Sequence, residues 1–140
     1  MRRETDGREL VDAVLAFARE LNALQREYAS RMPRFRREGR MEALLSAYRA
    51  EAEALCRRRL TERKRCKALP QRPAFAALEH LALSAAVQAG NCAVVEVLTS
   101  EGCLDFRFRL QFREGEWRID GYQQRYHSAS QVEPWSEGIF

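Results

Sequence analysis

Residues 92–126 read Cys92-Ala-Val-Val-Glu-Val-Leu-Thr-Ser-Glu-Gly-Cys-Leu-Asp-Phe-Arg-Phe-Arg-Leu-Gln-Phe-Arg-Glu-Gly-Glu-Trp-Arg-Ile-Asp-Gly-Tyr-Gln-Gln-Arg-Tyr126 and spell out a β-meander. Leu104, Phe106, Phe108, Leu110 and Phe112 alternate with Asp105, Arg107, Arg109, Gln111 and Arg113. Strict period two makes this a strand with one apolar face. A two-residue turn at Glu114-Gly115 pairs Phe112 with Trp117, Leu110 with Ile119 and Arg109 with Asp120. A turn at Glu101-Gly102 pairs Val97 with Phe106, Val95 with Phe108 and Ala93 with Leu110. A one-residue slip of either hairpin would set Phe and Val opposite Arg and Asp. Two independent turns therefore agree on one core face.

The opposite face then carries Glu96, Asp105, Arg107, Arg109, Gln111, Arg118, Asp120 and Tyr122. Its cross-strand neighbours are Glu96 with Arg107, Arg107 with Tyr122, and Arg109 with Asp120. As ordinary solvated pairs these contribute roughly 0.2–1 kcal/mol each. As a docking surface the same mixture suits a protein partner, because Arg and Tyr are favoured at interfaces. Glu96, Asp105, Arg107, Arg109, Arg118, Asp120 and Tyr122 are the candidate partner-binding residues.

Working outward, residues 81–87 also alternate, with Leu81, Leu83, Ala85 and Val87 in phase. A turn at 89–91 pairs Val87 with Ala93 and extends the core face. Residues 74–78 read as a helical turn. Upstream, Asp6-Gly-Arg-Glu9 resembles a capping box, and Leu10, Val14, Phe17, Leu21, Leu24 and Tyr28 form one helical stripe ending near Met32-Pro33. A second stripe runs through Met41, Leu44 or Leu45, Tyr48, Ala52, Leu55 or Cys56, and Leu60 to about Lys67. The expected order is helices at about 7–32 and 41–67, strands at about 80–88, 92–100, 103–113 and 116–126, and a tail at 127–140. In that tail Pro134-Trp135 and Ile139-Phe140 are apolar enough to fold back on the body; disorder is the competing expectation. One domain over 1–140 is of ordinary size and can bury a core without staples.

The net charge of +4 hides an asymmetry. Residues 1–72 hold 19 basic and 11 acidic side chains, a net of +8, and residues 73–140 hold 5 and 9, a net of −4. The densest cluster is Arg57, Arg58, Arg59, Arg63, Lys64, Arg65 and Lys67. It reads as a solvated helix end favoured by the helix dipole, as a nucleic-acid patch or as a docking surface for an acidic protein. The consecutive arginines fan around the helix and no aromatic residue interleaves to stack bases, which disfavours nucleic acid.

No stretch approaches 18 apolar residues and the charged N-terminus lacks a signal-peptide core, so the expectation is a cytoplasmic protein with no membrane contact. Cys56, Cys66, Cys92 and Cys103 form no CxxC pair, and Cys92 falls opposite Gln111, far from Cys103. Free thiols in a reducing compartment are expected, with no metal site, as His80 and His127 are not spaced with the cysteines as ligands. There is no GxSxG, P-loop, dinucleotide glycine pattern or HExxH, and no cofactor or catalytic residue is expected. Tyr28, Tyr48, His80 and Trp117 are the residues that would line a pocket between helices and sheet.

Helix, helix, then a meander ending in Gly115-Glu-Trp-Arg-Ile-Asp-Gly121 resembles the NTF2-like superfamily. The closer resemblance is to the NTF2-fold immunity proteins of bacterial polymorphic toxin systems. It is carried by Ala93-Val-Val-Glu-Val-Leu-Thr99, by Gly102-Cys-Leu104 leading into Phe106-Arg-Phe-Arg-Leu110, by Trp117-Arg-Ile-Asp120 and by Leu60-Thr-Glu-Arg-Lys-Arg65. The resemblance covers about the last two-thirds of the chain. It implies an α+β cone, with two long N-terminal helices in the concave face of a curved antiparallel sheet. It also implies a non-catalytic immunity protein that neutralises a cognate protein toxin. Many immunity proteins that cover nucleases are acidic, whereas this chain is basic. The alternatives are an NTF2-like isomerase or dehydratase with a carboxylate or His in its cavity, and a nucleic-acid-binding accessory domain. A homodimer through the sheet face would compete with a toxin for the same residues.

Overall fold

The computed structural model describes residues 7–61, 69–70, 73–99, 104–127 and 131–140, and only the backbone at 80–83. The Asp6 cap, the Glu101-Gly102 turn, the end of the second helix at 62–67, Cys66, Cys103 and the His80 side chain lie outside what is described. Two helices, α1 (Gly7–Arg37) and α2 (Met41–Arg59), precede a short 3₁₀ turn (Ala76–His80) and five strands. These are β1 (Leu81–Ala89), β2 (Cys92–Thr99), β3 (Leu104–Arg113), β4 (Glu116–Tyr126) and β5 (Ser136–Glu137). The strands follow chain order in one sheet and every pairing is antiparallel. This is an α+β arrangement, two helices on a curved sheet, consistent with an NTF2-like cone.

The stripe of α1 does what its spacing requires. Leu10, Val14, Phe17 and Leu21 are buried against Val95, Val97, Phe106, Phe108 and Leu110 of the sheet. The helix does not stop at Pro33, as the sequence suggests, but continues through it to Arg37. Met32 and Phe35 pack on a second cluster of Tyr28, Leu44, Tyr48 and Ala52, and that burial holds the last turns helical despite the missing N–H. α1 closes on Gly39, at φ 67°, with Arg40 N–H donating to Phe35 O and Gly39 N–H to Arg36 O. This is a Schellman ending, and only glycine enters it without Cβ strain. α2 ends at Arg59, short of Lys67, because Leu60 turns extended and pairs with Ile119 of the sheet.

The β2–β3 register is as expected: Val97 faces Phe106, Val95 faces Phe108, Ala93 faces Leu110 and Glu96 faces Arg107. So is the turn, with Phe112 opposite Trp117 and Leu110 opposite Ile119. Beyond it the register breaks. Arg109 pairs with Gly121, not Asp120, so Asp120 is an extra residue, a bulge in β4. Every later residue of β4 changes face relative to the sequence reading. Tyr122 therefore lies opposite Phe108 in the core, 6% exposed, instead of opposite Arg107 on the outer face. β1 is also shifted by one. A two-residue turn at Gly90-Asn91 pairs Val87 with Val94 and leaves Val87 71% exposed on the outer face.

The hollow of the sheet is filled with rings. Phe75 lies 5.1–6.4 Å, centroid to centroid, from Phe17, Phe106, Phe108, Tyr122 and Phe140. It arrives from the loop after α2 and is held by two buried amides of α1. Asn22 Nδ2 donates to Phe75 O at 2.9 Å, and Phe75 N–H donates to Asn22 Oδ1 at 3.1 Å. Gln25 accepts from Ala74 N–H at 2.8 Å and donates to the Tyr48 hydroxyl at 3.1 Å. Buried amides paired this way lose little on desolvation and fix one placement of the loop.

Candidate functional site

The outer face of the sheet divides into an apolar and an ionic half. On β1 and β2, Ala85, Val87 and Ala89 are exposed and Val94 is half-buried. Over β3 and β4 the residues are charged, and a C-terminal strap, 131–140, lies along them. The strap alternates as a strand does. Trp135 and Glu137 face outward, while Gly138 and Phe140 turn to the core, with Phe140 8% exposed. Backbone bonds from Glu133 N–H to Tyr126 O at 3.0 Å and from Gly138 N–H to Tyr122 O at 2.9 Å bracket the short β5 pairing with Gln123 and Gln124. Together with Thr61 N–H on Ile119 O at 3.0 Å, they occupy the outer edge of β4.

Trp135 sits between two guanidiniums. Arg107 Cζ is 4.4 Å and Arg125 Cζ 4.2 Å from its ring centroid. Both arginines are braced from behind: Arg107 by Glu96 at 2.9 Å and Arg125 by Asp105 at 3.2 Å. Asp105 is 3% exposed. His127 Nδ1 lies 3.0 Å from its second oxygen, close in distance but not in hydrogen-bonding geometry. Arg109 grips Glu137 with two bonds, 3.0 and 3.3 Å, which raise its guanidinium pKa above the ordinary value. Gln123 adds a third bond to Glu137 at 3.1 Å. Arg109 reaches the strap by lying across Gly121, where a Cβ would stand 2.4 Å from Nη2.

Of the seven candidate residues, Glu96, Arg107 and Arg109 lie together on this face. Asp105 lies beneath it as a buried counter-charge. Arg118 does not belong to it. Its guanidinium turns to the end of α2, donating to Arg57 O and to Leu60 O at 3.2 Å, where it satisfies carbonyls the helix leaves open. Asp120, the bulged residue, accepts from the Thr61 hydroxyl at 2.8 Å instead of pairing with Arg109. Tyr122 is a core residue. The reading missed Gln123, Arg125, His127, Trp135 and Glu137. Their signals were the bulge, which moves three of them outward, and the period-two pattern of the strap.

The Arg57–Arg59 end of α2 borders an open cleft of about 600 Å³ that Trp117 and Arg118 also line. Trp117 places an aromatic ring beside these arginines that the linear order did not show. Each of these arginines has a carboxylate nearby: Arg59 bonds Glu20 at 2.7 Å, Arg58 shares that Glu20 at 3.9 Å and Arg57 lies 3.8 Å from Glu53. This is the pattern of a helix end with its own counter-ions. Tyr28 and Tyr48, expected in a pocket, instead pack edge to face at 5.6 Å in the second cluster. The hollow expected for an isomerase or dehydratase is taken up by Phe75 and its neighbours.

Cys92 is free and exposed, opposite Gln111 as expected. Cys56 is disulfide-bonded, which corrects the expectation of four free thiols. A bridge needs only that two Cα atoms approach, and tertiary folding sets that without any short-range motif. The argument for a reducing compartment thereby loses a premise. Among the described residues no helix is long and apolar enough to cross a membrane, and no three His, Cys, Asp or Glu side chains converge as metal ligands. No family model matches the chain, and no curated protein or solved structure matches it either.

Proposed function

We propose that the chain is a non-catalytic binding protein whose outer sheet face docks a protein partner. Read with the resemblance to immunity proteins, the partner is a cognate bacterial toxin that the chain neutralises. The observation that carries this reading is one surface with two complementary parts. Val87, 71% exposed, stands with Ala85 and Ala89 as an apolar patch, and beside it lies the row Glu96, Arg107, Trp135, Arg125, Glu137 and Arg109. A solvated face has no need of an exposed valine beside stacked guanidiniums, whereas an interface uses an apolar centre, Arg and Trp anchors and a polar rim. Arg107 and Arg125 are positioned before binding, so little of their side-chain order remains to be imposed when a partner arrives.

The test is co-expression with the product of a neighbouring toxin-like gene and capture of the complex. Val87→Glu combined with Arg107→Ala and Arg109→Ala should weaken capture sharply and abolish protection of the host, with the unfolding midpoint little changed. Tyr122 is left intact, because truncating a core ring would unfold the domain for reasons unrelated to docking. Undiminished affinity in the triple variant would remove this face from consideration.

A further inference from the structure

The strap shows what chemistry the ionic half of the face accepts. An indole lies between the guanidiniums of Arg107 and Arg125, and two residues on a carboxylate takes three bonds from Arg109 and Gln123. The spacing is that of one side of an extended chain. The main chain pairs as well: Ser136 and Glu137 with Gln124 and Gln123, Val132 with His127, and Glu133 and Gly138 N–H with Tyr126 and Tyr122 O, while the Ser136 hydroxyl donates to Gln124 O at 3.1 Å. The strap is therefore held both as an added edge strand and by its Trp135 and Glu137 side chains, and it is the side chains that select. Glu133, Pro134, Ser136 and Glu137 are exposed, so solvent reaches the segment along its length.

Two of the receiving residues, Arg107 and Arg125, do not depend on the strap for their placement. Glu96 holds Arg107 and Asp105 holds Arg125 whether or not an indole lies between them. Gly121 leaves the space in which Arg109 lies. A pocket with two braced guanidiniums, a third that Glu137 engages and an amide is a receptor for a ring and a carboxylate.

We propose that this face is a receptor for an extended segment carrying an aromatic residue and, two positions on, a carboxylate, that Trp135–Glu137 is its resident ligand, and that a partner's segment of the same chemistry exchanges with it. The inference rests on the docking reading above and names the partner's chemistry. Exchange requires residues 132–137 to lift and give up their edge pairing with β4, which the incoming extended segment remakes, with Phe140 remaining in the core as tether. The resident segment acts as an intramolecular competitor, which lowers the apparent affinity of anything that binds in trans.

The probe is the peptide Val-Glu-Pro-Trp-Ser-Glu-Gly, the sequence of residues 132–138. The protein is the full chain with Trp135→Ala and Glu137→Ala, which vacates the face and keeps the Phe140 anchor. The vacated variant should bind the peptide at least about tenfold more tightly than the unsubstituted chain does. Amide shifts should centre on Arg107, Gln123 and Gln124. Binding should vanish when Arg107→Ala and Arg109→Ala are added, or when the peptide's Trp or its second Glu becomes Ala. No binding at millimolar peptide by a variant that still unfolds cooperatively overturns the proposal, and so does binding that ignores the peptide's Trp. A toxin captured through this face while the peptide fails to bind sinks exchange and leaves docking standing. Peptide binding with capture unaffected by Arg107→Ala and Arg109→Ala sinks docking and leaves the receptor standing.

Discussion

Gly138→Ala should unfasten the C-terminal strap from the core. A Cβ at that position would stand 2.0, 2.1 and 2.6 Å from Cε2, Cζ and Cδ2 of Tyr122, where ordinary contact is 3.4–4 Å. The ring cannot yield. It packs 5.1 Å from Phe75, stacks 5.7 Å from Phe108, lies 4.9 Å from Phe140 and donates its hydroxyl to Ile139 O at 3.1 Å. The strap must lift instead, by over an ångström, and it takes with it the bonds Gly138 N–H to Tyr122 O and Tyr122 O–H to Ile139 O. Each such bond contributes about 1 kcal/mol net. Re-exposing Phe140 costs about 1.5–3 kcal/mol. Alanine recovers about 0.4–1 kcal/mol by restricting the unfolded chain. The expected net loss is about 2–5 kcal/mol. Equilibrium urea unfolding measures it as a fall in midpoint. The double variant with Phe140→Ala should cost scarcely more than Phe140→Ala alone, because both undock the same segment. A Gly138→Ala protein within about 0.5 kcal/mol of the original, or strict additivity with Phe140→Ala, would refute the reasoning.

Gly121→Ala meets a softer obstacle, the far end of the Arg109 side chain. Arg109 should swing away, stability should change by less than about 1 kcal/mol because Glu137 is largely exposed, and the Arg109–Glu137 coupling in a double-mutant cycle should disappear; a coupling that persists would show the guanidinium unmoved. Glu114 sits at φ 53° before Gly115 at φ 82°, a turn that favours Asn-Gly. Glu114→Asn should therefore gain up to about 1 kcal/mol in thermal or urea unfolding, and a loss would mean that the carboxylate has a role of its own. Burial lifts the phenol of Tyr122, and that of Tyr48, above the usual value. A raised folded-state pKa means that the neutral phenol's contribution is complete below about pH 10 and is lost as pH rises through the folded value. Tyr122→Phe should flatten the alkaline fall in urea midpoint above about pH 10, and an unchanged slope would place the titration elsewhere.

How much of this was legible depended on how far two faces of a strand differ. β3 alternates Phe or Leu with Arg, Asp or Gln, so a slip would bury charges, and its pairing with β2 was readable residue by residue. β1 is Leu-Ala-Leu-Ser-Ala-Ala-Val-Gln-Ala, small and apolar on both sides. A one-residue shift there costs little by pattern, and the Gly90-Asn91 turn decided the register instead. The core stripe of α1 was plain at its hydrophobic positions, but an apolar stripe gives no sign that Asn22 and Gln25 clamp the Phe75 loop. Phe75 itself follows Pro70 and Pro73 in no periodic run, so nothing local marks it as the centre of the hollow. The helix extension past Pro33 depends on packing against α2, beyond the reach of the local helix pattern.

The outer face exists in its present form because of one inserted residue. Without the Asp120 bulge, Tyr122 would fall outward opposite Arg107, and Gln123 and Arg125 would turn into the core, where an unpaired guanidinium is not tolerated. The trace of this in the sequence is that Trp117, Ile119 and then Tyr122 break period two across Asp120-Gly121, and a glycine inside a strand is a mark of a bulge. The insertion does three things together. It sends Tyr122 to the ring cluster, where Phe140 anchors the strap. It sends Gln123 and Arg125 outward, where they meet Glu137 and Trp135. It leaves Gly121 opposite Arg109, the only residue type that lets the guanidinium lie flat toward the strap. Core anchor, receptor residues and access therefore follow from a single change of phase, and deleting Asp120 should abolish all three at once.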